Sequence, residues 1–370
     1  MSEQTVHVPV EMLHRFMEDV FVAVGVPAED ARICADVLIA SDLRGIESHG
    51  IGRLKMYYDR IRAGVQFPTS RLEVVTDTPT TAVVDGGHGM GQVIAYRAME
   101  MAMRKARAYG LGAVAVRNST HFGIAGYYAL MAVAQGMIGM VFTNARPSIA
   151  PTFGVQPMLG TNPIVFGAPT DEDCPFLFDG ATSITQRGKI EVLEREGRLT
   201  PAGWVIDQQG RDATDTSAIL RGLGQDLYAL LPLGGAGEEL GGHKGYGLAT
   251  IVEILCAALQ GGSYLHGLTG FDAQGRRQPY ALGHFFLAMD IAHFIPLDEF
   301  KAITGGIVRQ LRASRKAPGH DRIWTAGEKE HEMEAVVRAQ GVPVNPQLQR
   351  EILAMRDELK LTAYRFPFEA

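Results

Sequence analysis

Apolar residues recur at helical spacing near both ends of the chain and gather in short, strand-length runs between them. The helical spacing predicts helices over residues 10–24, 29–42, 48–63, 93–109, 124–135 and 243–259. Strand-length apolar runs cover residues 80–85, 112–116, 138–143, 163–169, 175–180 and 284–291. Strands and helices that alternate in this way are typical of an α/β domain.

The two ends of the chain share a helical pattern that differs from the pattern of the middle. Near the C-terminus, Asn345 and Pro346 form a helix start. One face of the helix that follows is formed by Leu348, Ile352, Met355 and Leu359. We expect residues 1–75 and 310–370 to pack together as one helical domain, around an α/β domain at residues 76–309. The segment 195–242 is rich in glycine and charge, and its structure is the part that the sequence pattern describes least.

Composition narrows the classes of protein to consider. The 370-residue chain carries a formal net charge of −6, which gives no electrostatic reason to expect binding to nucleic acid or an anionic membrane. The N-terminus lacks the basic segment and apolar core of a signal peptide. Glu253 interrupts the most apolar helical segment, which is too short to span a bilayer. The three cysteines are far apart, which excludes a CxxC-type metal site and favours a reducing compartment, so we expect a cytoplasmic protein.

Polar side chains follow three of the predicted strands. They are Asn118, Ser119, Thr120 and His121, then Asn144, then Asp179, Thr182 and Ser183. In open α/β sheets, ligands bind at the C-terminal ends of strands, so we expect these three loops to form one rim. Each residue alone is weak evidence, because a histidine in a loop is more often an ordinary surface or capping residue.

The segment GGHKGYGLAT, which opens the helix predicted over residues 243–259, is a second candidate site. Its glycines leave the first turn bare, and Lys244 adds a cation at the positive end of the helix dipole, which suits a phosphate or a carboxylate. A solvated lysine beside glycines that permit close helix packing is an equally good interpretation. The sequence has no G-x-G-x-x-G between a strand and a helix, so a bound dinucleotide would need a site without the Rossmann fingerprint.

A third candidate is the stretch LRGIESHGIGRLKMYY, residues 43–58. If Ser48 begins the helix, His49, Arg53 and Tyr57 form one stripe, which lies away from the apolar face. That apolar face consists of Ile51, Leu54, Tyr58 and Ile61. An imidazole, a guanidinium and a phenol on one stripe can hold a carboxylate and supply a proton. A solvated helix face with a serine cap explains the same spacing.

Five motifs in one order, DLRGIESHGIGRL, VRNSTHFGIAGYYA, LGTNPIVFGAP, FDGATS and GGHKGYGLA, resemble the malate/L-lactate dehydrogenase family of the second, non-Rossmann type. That family also contains ureidoglycolate and sulfolactate dehydrogenases, diketogulonate reductase and cyclic-imino-acid reductases. The resemblance implies a non-Rossmann, dinucleotide-binding mixed sheet flanked by helices. It also implies an NAD(P)-dependent oxidoreductase that interconverts a 2-oxo acid and a 2-hydroxy acid of the malate or lactate type, assembled as a homodimer.

The resemblance assigns roles residue by residue. His121 matches the general acid/base position, and His49 matches a position also proposed as the proton donor in some members. Ser48, Arg53 and Tyr57 match substrate-pocket positions, and the Arg53 guanidinium is the natural clamp for a carboxylate. Cofactor contacts are implied at Ala145, Asp179, Gly180, Ala181, Thr182, His243, Lys244, Ala326, Gly327 and Glu328.

Two positions depart from the family pattern. Ala145 falls where relatives often carry a hydroxyl side chain, and Ala326 replaces the usual proline before Gly-Glu. Arg146 is a cation that can serve a second acidic group, as in malate or sulfolactate, although a surface arginine explains it equally well. We expect NAD as the cofactor and leave NADP open, because Arg187 and Lys189 either favour a 2′-phosphate or are solvated loop charges.

Other functions stay under consideration. Within the family, the alternatives are oxidation of ureidoglycolate or sulfolactate and reduction of a cyclic imine. A dinucleotide-binding relative without turnover is a second class, and the intact His49, Arg53, His121 and Lys244 argue against it. A metal-dependent hydrolase is disfavoured, because no two histidines stand at HxxxH or HxH spacing with a nearby carboxylate pattern, and we predict no metal site.

Overall fold

A seven-stranded mixed sheet lies at the centre of the structure, a computed structural model that describes residues 4–369. The strands are β1 Val6–Val8, β2 Glu73–Asp77, β3 Thr81–Asp85, β4 Leu111–Ser119, β5 Met137–Thr143, β6 Ile164–Ala168, β7 Phe176–Gly180, β8 Val205–Asp207, β9 Tyr228–Leu230, β10 Leu282–Asp290 and β11 Val342–Val344. The helices are α1 Val10–Ala23, α2 Ala28–Leu43, α3 Leu54–Arg62, α4 Gly91–Tyr109, α5 Gly126–Val133, α6 Arg187–Arg195, α7 Thr216–Gly222, α8 Gly242–Ala257, α9 Leu297–Ala313, α10 Glu328–Gln340 and α11 Pro346–Glu358.

The order of strands in the central sheet is β2-β3-β4-β10-β5-β6-β7. The β3–β4 pair is parallel, and the other pairs in this sheet are antiparallel. Because β10 separates β4 from β5 and β6 separates β5 from β7, the strands β4, β5 and β7 run in the same direction. Their C-terminal ends therefore meet at one edge of the sheet, which is where the candidate site lies.

Two large apolar cores support this arrangement. The first draws on both ends of the chain: β1 pairs with β11, and side chains such as Phe16, Ile352 and Phe368 are buried together. The second lies between the sheet and helices α4 and α5. The division into residues 1–75 with 310–370 and residues 76–309 stays a prediction, and both of its boundaries fall inside elements, β2 and α9.

The predicted α/β class is confirmed, and each of the six predicted strands is present as β3, β4, β5, β6, β7 or β10. Five of the six predicted helices over residues 10–259 match α1, α2, α4, α5 and α8 within a few residues. The predicted cap of α11 is also confirmed, because Asn345 Oδ1 accepts a hydrogen bond from Leu348 N at 3.0 Å. None of the described helices combines the length and the apolar character needed to cross a membrane.

The sixth helix begins later than predicted. Ser48 lies in a loop, and a 3₁₀ turn at Ile51–Arg53 precedes α3. The cap comes from α2 instead of from Ser48, because Asp42 Oδ2 accepts a hydrogen bond from the first backbone N–H of this turn at 2.8 Å. A Cβ at Gly50 would lie 1.8 Å from Asp42 Oδ1, so this close approach requires glycine. The prediction that Ser48 caps the helix and His49 lies on it is therefore wrong.

The predicted apolar face of α3 is confirmed, since Leu54 and Tyr58 are buried in the first core. The prediction that Tyr57 lies away from this core is wrong. Its side chain is fully buried, with its ring 6.1 Å from that of Phe21, and its hydroxyl leaves the core to reach His121. A tyrosine can serve both environments, because its ring is apolar and only its tip is polar.

Candidate active site

A cavity of about 450 Å³ opens at the edge where β4, β5 and β7 end. His121 follows β4, Asn144 follows β5 and Asp179 lies near the end of β7, and all three line this cavity. The rim predicted from the strand ends is therefore present for these residues. Ser48 and His49, in the loop between α2 and α3, also line this cavity.

The side chain of His121 has one ring nitrogen engaged by the protein. The Tyr57 hydroxyl lies 2.5 Å from His121 Nδ1, and Gly123 N donates to the same nitrogen at 3.4 Å. The ring of His49 stacks on that of His121, with centroids 5.4 Å apart and planes inclined by 23°. No residue in the range 4–369 hydrogen-bonds to His121 Nε2, so this nitrogen is available to a molecule in the cavity.

The surroundings keep both imidazoles neutral at neutral pH. Burial lowers the pKa of His121 well below its usual value, and the charges of His49, Arg60 and Arg53 lower it further. Burial, followed by the charge of Arg53, lowers the pKa of His49 to about 4. Burial raises the pKa of Tyr57, so its hydroxyl keeps its proton and can donate it to a hydrogen bond.

Ser48 and Arg53 are connected to the same loop. The Ser48 hydroxyl lies 2.9 Å from His49 Nδ1, and Arg53 Nε donates to the backbone carbonyl of Ser48 at 2.6 Å. The terminal nitrogens of Arg53 have no hydrogen-bond or carboxylate partner within the described part of the chain. Arg53 is not among the residues that line the cavity, but its charge acts on both His49 and His121, and most of its donors are unused.

Two residues of the segment 179–182, Asp179 and Ala181, line the cavity. Asp179 Oδ2 accepts a hydrogen bond from Gly126 N, at the start of α5, at 2.7 Å. The residue remains accessible from the open cavity, although the surrounding protein raises the pKa of its carboxyl group to about 6. Ala181 also lines the cavity. Both residues therefore line the cavity, and their contact with a cofactor stays a prediction.

Gly180 and Thr182 are placed differently from their neighbours, since neither lines the cavity. Gly180 pairs within the sheet, and the buried Thr182 hydroxyl donates to the backbone carbonyl of Asn162 at 3.0 Å. Asn162 in turn accepts from Ala145 N at 3.2 Å and donates to Glu253 Oε2 at 2.9 Å. This buried network holds the backbone of Ala145, which does line the cavity.

Of the predicted final cofactor contact, residues 326–328, two residues line the cavity and one does not. Ala326 and Gly327 line the cavity, and a Cβ at Gly327, whose φ is +91°, would lie 3.0 Å from the side chain of Leu177. The Glu328 side chain is buried and accepts from Arg312 Nη1 at 2.7 Å. Its carboxylate is thus held by the protein and is not among the groups that line the cavity.

His243 and Lys244 are exposed at the start of α8. Neither is among the residues that line the cavity at the strand ends. Their part in cofactor binding stays a prediction.

Several lining residues were not singled out from the sequence. Trp324, Lys329 and Glu330 line the cavity, and the guanidinium of Arg322 lies 3.8 Å from the centroid of the Trp324 ring. The only signal available was their position around the Ala-Gly-Glu match. Arg60 was not singled out either; it is not a lining residue, but it lies three residues after Tyr57, on the same helical face, and its charge acts on His121.

The match to known proteins agrees with this geometry. The sequence profile described as malate/L-lactate dehydrogenase matches residues 8–353. The chain belongs to this family. It is 47% identical over 328 residues to the malate dehydrogenase of Pyrococcus horikoshii, a match that covers 89% of this chain and 88% of that protein. It is 35% identical to the L-sulfolactate dehydrogenase of Methanothermobacter thermautotrophicus, with 94% of this chain and 95% of that protein covered.

Solved structures of the family share the fold as well. The crystal structure of malate dehydrogenase from Entamoeba histolytica superposes with a TM-score of 0.94 at 42% sequence identity, and the match covers 98% of this chain and 100% of that chain. The mixed sheet and its flanking helices are therefore those of the malate/L-lactate dehydrogenase family. Membership in a family of dehydrogenases implies a nicotinamide cofactor and a small-molecule substrate.

Proposed function

We propose that this protein is an NAD(P)-dependent dehydrogenase that interconverts a 2-oxo acid and a 2-hydroxy acid of the malate type. The observation that carries the proposal is the His121 group: a neutral imidazole with one free nitrogen in the cavity, a tyrosine hydroxyl on its other nitrogen, and an unpaired arginine beside it. The similarity to a malate dehydrogenase supports the choice of substrate class.

His121 would exchange the proton with the substrate oxygen through Nε2. The Tyr57 hydroxyl can donate to Nδ1 when Nε2 carries the proton, and it can accept from Nδ1 when that nitrogen is protonated. The Tyr57 hydroxyl can therefore hydrogen-bond to His121 in each of the protonation states through which a general acid or base passes. Because His121 is neutral in the free protein, the anionic substrate would have to raise its pKa before it acts as an acid.

Arg53 would hold the carboxylate next to the reacting carbon. Its terminal guanidinium nitrogens are unpaired, and two parallel N–H groups match the two oxygens of a carboxylate. His49 has its ring stacked on that of His121, and the charge of Arg53 acts on it. In the proposal His49 shapes and desolvates the site, and the proton passes through His121.

The cavity residues fit a nicotinamide cofactor, which supplies or accepts the hydride when it is bound. Asp179 offers acceptors for ribose hydroxyls, Lys329 offers a cation for phosphate, and Trp324 offers a flat ring. Gly126 keeps that wall bare, since a Cβ there would lie 3.0 Å from Asp179 Oδ2. Two carboxylates, those of Asp179 and Glu330, disfavour an additional phosphate by repulsion, so we propose NAD in preference to NADP.

Absorbance of NADH and NADPH during reaction with a panel of substrates tests the proposal. The panel contains oxaloacetate, sulfopyruvate, pyruvate, a cyclic imine and, in the oxidative direction, ureidoglycolate. We expect the fastest turnover with NADH and a 2-oxo acid that carries a second acidic group. Absence of turnover with every 2-oxo acid and both cofactors would exclude the proposal. Turnover confined to the imine or to ureidoglycolate would favour one of the alternatives within the family.

We also propose a homodimer, and the support for it is the outer face of α8. Leu248, Ile251 and Ile254 of this helix are 38–55% exposed, and the equally exposed Leu259 follows its end. Ile254 also lines an apolar cleft of about 470 Å³. Light scattering should give twice the mass of the chain, and Ile254→Glu should give the monomer. Val22→Glu, at an equally exposed position on α1, is the control and should leave the mass unchanged.

We further propose that the protein works in a reducing, cytoplasmic compartment. All three cysteines are unpaired in the structure. Cys34 and Cys256 are completely buried, and burial raises the pKa of both thiols, so they are unreactive core residues. Fractionation of the source cells tests this assignment, and recovery from an oxidising compartment would contradict it.

A further inference from the structure

Most of the half-buried arginines in the described part of the chain contact a carboxylate. Examples within residues 4–369 are Arg117 with Asp85 and Arg356 with Glu369. The exceptions in the described part of the chain are Arg53 and Arg60, and the remaining arginines without a carboxylate partner are exposed. Both exceptions belong to one segment, the 3₁₀ turn and helix that carry Tyr57.

Arg60 has the environment of a binding site without its ligand. Its guanidinium carbon lies 4.2 Å from the centroid of the Tyr280 ring, and no described residue accepts a hydrogen bond from its nitrogens. A guanidinium that is partly removed from water without a hydrogen-bond partner is unfavourable until an anion supplies one. The positive charges of Arg146 and Arg53 act on the same group, and no described carboxylate pairs with it.

The position of Arg60 relative to the reacting groups gives its role. Arg53, Tyr57 and Arg60 follow each other at helical spacing, and the Tyr57 hydroxyl contacts His121. Seven residues separate the two arginines, which corresponds to about 10 Å along a helix. Neither guanidinium is among the groups that line the cavity, but both charges act on His121, and both side chains are long enough to reach a substrate bound there. The two cations are thus neighbours of the group that would transfer the proton.

We propose that Arg60 binds the second acidic group of a dianionic substrate, while Arg53 binds the carboxylate beside the reacting carbon. This inference rests on the proposed function, because it names the residue that selects dicarboxylates or sulfonated acids over lactate-like acids. The ring of Tyr280 orients the guanidinium, and the charge-assisted hydrogen bonds go to the acidic group. Arg146 is the competing candidate, but it is exposed.

Binding without turnover tests the proposal directly. The protein is saturated with the reduced cofactor, NADH or NADPH, whichever raises its melting temperature, so that a hydroxy acid cannot react. Calorimetric titration then compares malate, a dianion, with lactate, a monoanion. For Arg60→Gln we expect the malate affinity to fall by about 30-fold or more and the lactate affinity to change by less than about threefold.

Two matched variants serve as controls. Arg62→Gln removes a charge from the same helix, but Arg62 is exposed and pairs with Glu358. Arg146→Gln removes the competing cation. We expect neither to reduce the preference for malate over lactate. If Arg60→Gln does not fold, Arg60→Lys keeps the charge without the planar fork and should lower the malate affinity selectively by a smaller factor.

Several results would overturn the proposal. They are an equal loss of malate and lactate affinity in both Arg60 variants, unchanged affinities, a selective loss in Arg146→Gln, or a wild-type protein that does not prefer malate. A different result would contradict the proposed function and leave the role of Arg60 intact. If malate binding depends on Arg60 but no 2-oxo acid is reduced, the anion site stands and the dehydrogenase proposal is wrong.

Discussion

Two histidines, the fully buried His284 and the half-buried His121, lie close together at the edge of the sheet and differ in what their ring nitrogens contact. His284, on β10, has Nδ1 2.8 Å from the hydroxyl of Thr143 and Nε2 2.7 Å from the hydroxyl of Ser119. His121, one residue before the Phe122 ring on which His284 stacks, has Nδ1 engaged and Nε2 free. Burial lowers the pKa of both, that of His284 to about 3.

The difference shows that burial and a shifted pKa do not by themselves identify a residue that transfers protons. His284 links β10 to β4 and β5 with both of its nitrogens, which makes it a structural connection below the cavity. His121 keeps one nitrogen for a ligand. The predictions below test this distinction, beginning with the largest expected effect.

Replacement of His121 by alanine should remove proton transfer and leave the cavity walls in place. We expect kcat to fall by about 10²- to 10⁴-fold, which is the usual contribution of a general acid or base. NADH affinity, measured by fluorescence titration, should change little, because the proposed cofactor contacts are made by other residues of the cavity, such as Asp179 and Lys329. A kcat within tenfold of the wild type would contradict the role of His121 and direct attention to His49.

Replacement of His284 by leucine should have the opposite pattern. The variant leaves the buried Ser119 and Thr143 hydroxyls without their shared partner, at a cost of about 2–4 kcal/mol in the free energy of unfolding. Urea denaturation measures this loss. Turnover per folded molecule should stay close to that of the wild type. A loss of kcat as large as that of His121→Ala would remove the distinction between the two histidines.

The longer helices and strands and part of the candidate site could be predicted from the sequence. Periodicity over eight or more residues located helices such as α4 and α8, and the position of His121 and Asp179 at strand ends brought them to one cavity. The three-residue strands were missed, because β1 and β8 exist only through pairing with β11 and β9. Such pairings leave no local periodicity.

The remaining features depend on contacts between segments that are distant in the chain. The partners of His284 are 165 and 141 residues away in the chain. The local sequence therefore predicts only that His284 lies in a strand. Asp42 replaced Ser48 as the cap before α3 through a contact that no local pattern encodes. Arg60 was overlooked because its stacking partner, Tyr280, lies in the loop before β10. Local spacing predicts elements and stripes, whereas tertiary contacts decide which side chains stay unpaired.

Asp42 is a second buried titratable group that, like His284, has a structural role. Burial raises its pKa to about 8, although the hydrogen bond from Ile51 N opposes this shift. Because the folded pKa exceeds the unfolded value, the neutral group stabilises the fold fully below about pH 4, and this contribution is lost as the pH rises through 8. Asp42→Asn keeps the acceptor and cannot ionise.

We therefore expect the unfolding free energy of the wild type to decline relative to that of Asp42→Asn between pH 5 and pH 8, by about a few kcal/mol. Urea denaturation at several pH values measures both proteins, and their difference isolates Asp42 from the buried histidines. Parallel pH profiles would show that the carboxyl group is ionised in the fold.

The smallest effect is expected for Tyr57→Phe, which separates the two functions of this side chain. Phenylalanine keeps the ring in the first core and removes the hydroxyl from His121 Nδ1. We expect kcat to fall by about tenfold, because one hydrogen bond to the imidazole is lost, with little change in stability. Tyr128→Phe is the matched control, since this buried hydroxyl donates to the backbone carbonyl of Phe122 instead of to His121. If both variants lose the same activity, the Tyr57 hydroxyl acts through packing and not through the protonation state of His121.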